Sequence, residues 1–211
     1  MDKDSLINEL IKTKHLKTRE VIQAFRKVKR ENFVPLDLKR YAYVNEPLPI
    51  GYGQTISQPL TVADMTEALE PKRGQKILEI GTGSGYQAAI LAEIVGKKGK
   101  IVTIEQVKEL ADFASKNLKY AGYANVKVIY GDGSLGYAKE SPYERIIVTA
   151  ASPDVPKPLK KQLKDGGIMI IPVGYGMQEL MKIIKKGDTF EEHFLGWYRF
   201  VPLKGRYGFK I

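Results

Sequence analysis

Apolar positions along the chain follow two regimes. Over residues 3–13 and 18–30 they recur at helical spacing, and Val21, Ile22, Phe25 and Val28 share one stripe. Two amphipathic helices are predicted there. From residue 76 onward, short continuous apolar runs take over. Lys76–Ile80 (KILEI), Lys100–Glu105 (KIVTIE), Val126–Tyr130, Arg145–Thr149 (RIIVT) and Gly167–Val173 (GIMIIPV) read as buried strands. Helical patterns over about 86–95, 107–121 and 156–164 separate most of them. Strands alternating with helices at this spacing imply βαβ units and a parallel sheet covered on both faces. Residues 179–186 and 191–203 then read as two strands with Lys186-Gly187-Asp188-Thr189 between them, an antiparallel hairpin. The expected fold is α/β: a doubly wound, mostly parallel, Rossmann-like sheet with helices on both faces. An N-terminal helical extension and an antiparallel C-terminal hairpin complete it.

One domain is expected, in three stretches: residues 1–60 (helices and a loop), 61–175 (the core) and 176–211 (hairpin and tail). Between Phe33 and Pro59 the chain is broken by Pro35, Pro47, Pro49, Gly51, Gly53 and Pro59. A loop of that length in a compact protein is usually functional or disordered, and its aromatic residues favour the first.

Composition narrows the chemistry. The chain has 211 residues and no cysteine, so disulfides, thiolate nucleophiles, thiolate zinc and iron–sulfur clusters are excluded. His15 and His193 are far apart in sequence, and no metal site is expected. The formal charge is +10, but Lys and Arg are scattered and the densest stretch, Lys12 to Arg30, also holds Glu20. A solvated helical face is the expectation, with no stable nucleic-acid partner. No apolar run approaches the roughly 20 residues of a membrane span. The first residues lack a signal-peptide core. A cytoplasmic protein without membrane contact is expected.

In an open parallel sheet, ligands lie beyond the carboxyl ends of the strands, where strand order reverses. After the first strand comes Glu79-Ile80-Gly81-Thr82-Gly83-Ser84-Gly85-Tyr86-Gln87. The dinucleotide fingerprint would need glycine at 86, where Tyr stands, and no P-loop Gly-Lys-Ser/Thr is present. Glycines at this turn let backbone approach a ligand at a helix start. Glu105, ending the second strand, can accept from two ribose hydroxyls. Asp132, after the third, can accept from the exocyclic amine of adenine. Together they describe an adenosine held without a pyrophosphate.

This set resembles the class I S-adenosylmethionine-dependent methyltransferases over about residues 74–173. The substrate signal lies elsewhere, in Gln54-Thr55-Ile56-Ser57-Gln58-Pro59. With the G-S-G-Y-Q continuation, G-D-G-x-x-G (131–136), Pro142-Tyr143, A-A-x-P-x-x-P (150–156), L-K-x-G-G-x-x-I-P-V-G (163–174) and V-P-L (201–203), it resembles the protein-L-isoaspartate O-methyltransferase family. That likeness runs from about Gln23 to Leu203. Leu60 departs from the family, which often has a residue such as His after the loop's proline.

The resemblance implies methyl transfer from S-adenosylmethionine to the free carboxylate of L-isoaspartyl residues in damaged proteins and peptides. S-adenosylhomocysteine is the product, and the ester returns to aspartyl through a succinimide; tolerance of D-aspartyl stays open. It marks Ser57 as an active residue, which we read as orienting, since no base activates it. Thr55 is expected to act beside it. The expected cofactor contacts are Gln54, Ile56, Glu79, Gly81, Thr82, Gly83, Gly85, Tyr86, Gln87, Glu105, Gln106, Asp132 and Gly133. A carboxylate is ionised at pH 7 and needs no general base, in keeping with the absence of a placed His or Lys. Tyr52, Trp197 and Tyr198 are candidates for a peptide groove or for core packing, and Arg206 for a substrate carboxylate or a solvated tail.

Two other readings compete. Positive charge favours an RNA methyltransferase, but Thr149-Ala150-Ala151-Ser152-Pro153 lacks the Asp/Asn-Pro-Pro-aromatic run of amino-methylating enzymes. Ser141-Pro142-Tyr143 resembles that run but precedes the fourth strand. A non-catalytic nucleoside-binding scaffold is countered by the intact Gly81, Gly83, Gly85, Glu105 and Asp132.

Overall fold

The apolar runs at 76–80, 100–105 and 126–130 form strands with those boundaries in the computed structural model, which describes residues 1–210. They are β3 (Lys76–Ile80), β4 (Lys100–Glu105) and β5 (Val126–Tyr130). With β6 (Tyr143–Val148), β7 (Leu163–Val173), β8 (Gln178–Lys186) and β9 (Thr189–Tyr198) they build a seven-stranded sheet of order β5-β4-β3-β6-β7-β8-β9. The first five strands pair in parallel and the last two antiparallel. Strand order reverses between β3 and β6, so a crevice opens where their carboxyl ends diverge.

Strand parity assigns side chains to two cores. Leu78, Ile80, Val102, Ile104, Ile146 and Val148 face one layer, closed by Leu159 of α6 (Lys157–Gln162). Ile77, Ile101 and Ile147 face the other, against α3 (Pro59–Leu69), α4 (Tyr86–Val95) and α5 (Lys108–Tyr120). Every residue of α4 except Glu93 is buried, as expected of a helix apolar all round. Its outer side is covered by α2 (Arg19–Lys27), whose stripe buries Val21, Ala24 and Phe25, and α1 (Lys3–Lys12) packs on α2 in turn. Lys27 reaches Glu93 at 2.7 Å.

Three expectations change. Residues 48–56 are not an open loop but a separate hairpin, β1 (Leu48–Gly51) with β2 (Gln54–Ile56). Tyr52 and Gly53 both have positive φ, +55° and +69°, which is what a tight two-residue hairpin turn requires. The second helix ends at Lys27 rather than residue 30, and a 3-10 turn (Arg30–Phe33) follows. Finally, β9 stops at Tyr198 rather than 203. Beyond it the chain crosses the ends of the parallel strands, where Val201 and Leu203 bracket Ala151 through hydrogen bonds of 2.8 and 2.7 Å.

Both ends of this layout meet at Asp64 of α3. It bonds His15 at 2.7 Å and accepts from the Tyr198 hydroxyl at 2.8 Å. No helix among the described residues is long and apolar enough to cross a membrane.

Candidate active site

The crevice at the β3/β6 divergence is a cleft with two walls and a floor. The turn after β3 supplies Gly81, Thr82 and Gly83. Gly81 has φ +92°, and a Cβ there would lie 2.5 Å from Thr149 Oγ1. Only glycine lets the turn pass that close, and Thr149 exploits it by donating to the carbonyls of Ile80 and Gly81 at 3.0 and 2.7 Å. Thr82 and Thr103 hydroxyls lock together at 2.7 Å beneath the turn.

Glu105 stands at the end of β4 across from this turn. Its carboxylate accepts from Gly83 N (2.9 Å) and Val107 N (3.0 Å). Two hydrogen bonds leave about half of a carboxylate's lone-pair sites free, enough for a vicinal diol. Gln106 borders the cleft next to it, and Gly133 closes that end, where a Cβ would meet Ile80 at 2.6 Å.

The hairpin provides the opposite wall: Gln54, Thr55, Ile56 and Ser57 all border the cleft. Ser57 does not cap α3. The cap residue is Gln58, and the Asn45 side chain accepts from Leu60 N at 3.0 Å, leaving Ser57 to the cleft. Tyr86 and Gln87, opening α4, form the floor. The Tyr86 ring is held by Phe25, Phe33 and the Arg30 guanidinium, 5.0 Å from its centroid. Gln87 donates to Thr66 at 3.0 Å, so it both borders the cleft and ties α4 to α3.

Three expected contacts lie outside the lining. Gly85 has φ +89°, and a Cβ there would press on Leu118 at 3.1 Å, so this glycine serves α4–α5 packing. Glu79 points from β3 to the helix side, the face opposite Ile80, with neither oxygen hydrogen-bonded among the described residues. Burial pushes its carboxyl up to about 8, the Glu105 charge adding and Thr103 opposing. Asp132 is turned to the C-terminal segment: one oxygen accepts from Ser134 N and Oγ, the other from Arg206 N at 2.8 Å.

Other side chains fall away from the cleft. Tyr52 is exposed at the hairpin tip, and Trp197 is exposed on the outer strand against Phe194. Tyr198 packs inward to Asp64, and Arg206 is exposed on the tail.

Sequence reasoning passed over Met65, Thr149, Val201 and Lys204, which also border the cleft. Thr149 sat at the predicted end of the fourth strand, the position where ligand contacts concentrate, so its signal was available. A second cavity abuts the first. It shares Thr55, Ser57, Thr149 and Val201 and extends to Gln58, Thr61 and Arg199.

A glycine turn, a strand-ending acid facing it, and a sheet of this order define a class I S-adenosylmethionine-dependent methyltransferase. Comparison with known proteins gives the family. The family model for protein-L-isoaspartate(D-aspartate) O-methyltransferase matches residues 1–208, and the chain belongs to that family, which uses S-adenosylmethionine. The protein-L-isoaspartate O-methyltransferase of Dictyoglomus thermophilum is 55% identical over 203 residues, 96% of this chain and 91% of that protein. Protein-L-isoaspartate O-methyltransferase 2 of Archaeoglobus fulgidus is 56% identical over 195 residues, 92% of this chain and 89% of that one. Among solved structures, a protein-L-isoaspartate O-methyltransferase superposes with a TM-score of 0.89 at 31% identity, covering 98% of this chain and 67% of its own. The Plasmodium falciparum β-aspartate methyltransferase, solved with S-adenosyl-L-homocysteine, gives 0.85 at 25% identity over 97% of this chain and 99% of its own.

Proposed function

We propose that this chain methylates the free α-carboxylate of L-isoaspartyl residues in damaged proteins and peptides of the cytoplasm, and that the two walls of the cleft divide the work. The glycine-turn wall takes the donor. Glu105 receives the ribose hydroxyls, Gly81–Gly83 admit backbone-close approach, and Gln106 and Gly133 border the base. The hairpin wall takes the acceptor, with Thr55 and Ser57 offering hydroxyls to one carboxylate oxygen.

The observation that carries this reading is the position of Thr55 and Ser57, which line both the donor cleft and the adjoining cavity. Any acceptor entering the second cavity meets these hydroxyls at the mouth of the first.

S-adenosylmethionine, when bound, supplies a methyl group already activated on a sulfonium. The chain therefore needs no base, and among the described residues none is hydrogen-bonded to Ser57. Its task is to strip water from an anionic acceptor and hold it in line, and orientation of this kind supplies up to roughly 7–11 kcal/mol. Ser57 orients by donating its hydroxyl hydrogen.

The test offers labelled S-adenosylmethionine to an isoaspartyl peptide, its aspartyl twin and bulk tRNA. Label on the isoaspartyl peptide alone, released as methanol at mildly alkaline pH, is the expected result. Transfer to tRNA, or to neither peptide, overturns the reading.

A further inference from the structure

The second cavity is lined mostly by uncharged side chains. It is bordered by four hydroxyl side chains (Thr55, Ser57, Thr61, Thr149), one amide (Gln58), the apolar Pro47, Phe200 and Val201, and one cation, Arg199, with no carboxylate among the described residues. Acidic partners engage many cations elsewhere in the chain, among them Lys27, Lys160, Lys164 and Lys182. Arg199, like the other arginines, makes no ion pair among the described residues.

Its backbone is nonetheless fixed on both sides. Tyr198 is anchored through its hydroxyl to Asp64 at 2.8 Å. Phe200 N donates to the buried Gln178 side chain at 2.9 Å, and that amide in turn donates to Gly176 O at 2.7 Å. An exposed arginine whose neighbours are anchored, unpaired among the described residues and bordering a hydroxyl-lined cavity, can pair with an anion that enters it. The other nearby basic groups are placed differently: Lys204 borders the donor cleft, and Arg206 borders neither cavity.

We propose that Arg199 is the cationic anchor of the acceptor carboxylate, pairing with the oxygen that does not receive the methyl group. The inference rests on the isoaspartyl reading and deepens it by naming the charge that selects the acceptor. A planar guanidinium pairing with one oxygen, in a cavity that Ser57 and Thr55 also border, fixes the plane of the carboxylate and leaves its other oxygen toward the cleft. The ion pair also provides a release step. Once the acceptor oxygen carries the methyl group the acceptor is neutral, the pairing with Arg199 is lost, and the ester departs while fresh carboxylate is bound. Selectivity for acceptor over product is thus built into the site.

The test measures peptide binding by calorimetry with S-adenosylhomocysteine saturating. Three peptides of one sequence are compared, carrying the isoaspartyl α-carboxylate, its α-carboxamide and its α-methyl ester. Wild-type protein is expected to prefer the carboxylate by ~10- to 100-fold, the effect of hydrogen bonds to a charged group. In Arg199→Gln that preference falls to within about 3-fold, and Arg199→Lys restores part of it. Affinity for S-adenosylhomocysteine stays at the wild-type value in both, because Arg199 lies outside the donor cleft. An Arg199→Gln protein that keeps the wild-type carboxylate preference overturns the proposal, and so does one that loses S-adenosylhomocysteine affinity in parallel. If the isoaspartyl peptide fails to bind wild-type protein at all, the isoaspartyl reading itself is what fails.

Discussion

Gly83 N donates to Glu105 Oε2 at 2.9 Å, so the acid proposed to receive the donor also holds the turn that faces it. One carboxylate shapes both sides of the pocket before any ligand arrives. Glu105→Ala removes the ribose acceptor and frees two backbone amides together. We expect S-adenosylhomocysteine binding to weaken by about 10- to 100-fold, measured by calorimetry, with Glu105→Gln intermediate.

Ser57 borders both cavities, and in the proposed division of work it orients the acceptor. Ser57→Ala should lower kcat/KM for an isoaspartyl peptide by about 10-fold or more while leaving S-adenosylhomocysteine affinity within about 2-fold. Steady-state kinetics beside calorimetry separates the two. Equal losses in both quantities would contradict an orienting role.

Gly81 is constrained twice, by its φ of +92° and by Thr149 Oγ1 at 2.5 Å from a built Cβ. Gly81→Ala is expected to cost about 1–3 kcal/mol, read as a lowered Tm. Adding Thr149→Ala clears the space but not the backbone conformation, so the double variant should recover only part of the loss.

Glu79 makes stability depend on pH in an uncommon direction. Its carboxyl is raised from 4.5 to about 8 in the folded protein. Between those values the native state holds a proton that the unfolded state releases. Stability contributed by this group is therefore present at low pH and lost as pH rises from about 4.5 to about 8, at up to ~1.4 kcal/mol per unit. Denaturant titrations at several pH values should show a flatter profile in that window for Glu79→Gln. An unchanged slope would mean Glu79 titrates normally.

Much of this architecture can be read from residue order because buried parallel strands are written as apolar runs. The boundaries of β3, β4 and β5 coincide with KILEI, KIVTIE and VKVIY. The β1–β2 hairpin was hidden because Pro49, Gly51 and Gly53 read as breakers, although Pro49 is tolerated in so short a two-stranded ribbon. The end of β9 was hidden because aromatic and apolar residues continue past Tyr198 into a segment that leaves the sheet. At the site, the glycine turn and Glu105 announce themselves through their place after strands. Glu79 shows that a motif letter does not say which face a side chain takes, though its parity with Ile80 does. Arg199 carried no local signal: one arginine among many is distinguished only by which cavity it borders and which carboxylates are far from it.

The short hairpin β1–β2 stands apart from the seven-stranded sheet, and Arg199 follows the last strand of that sheet rather than sitting within it. Everything proposed to grip the acceptor thus comes from the margins, while the glycine turn and Glu105 are rooted in the parallel core. For an engineer this is a modular transferase. Thr55, Ser57 and Arg199 can be rewritten without altering a single pairing of β3, β4 or β6, whereas Gln54, Ile56 and Val201 also border the donor cleft and are kept in any redesign of acceptor specificity.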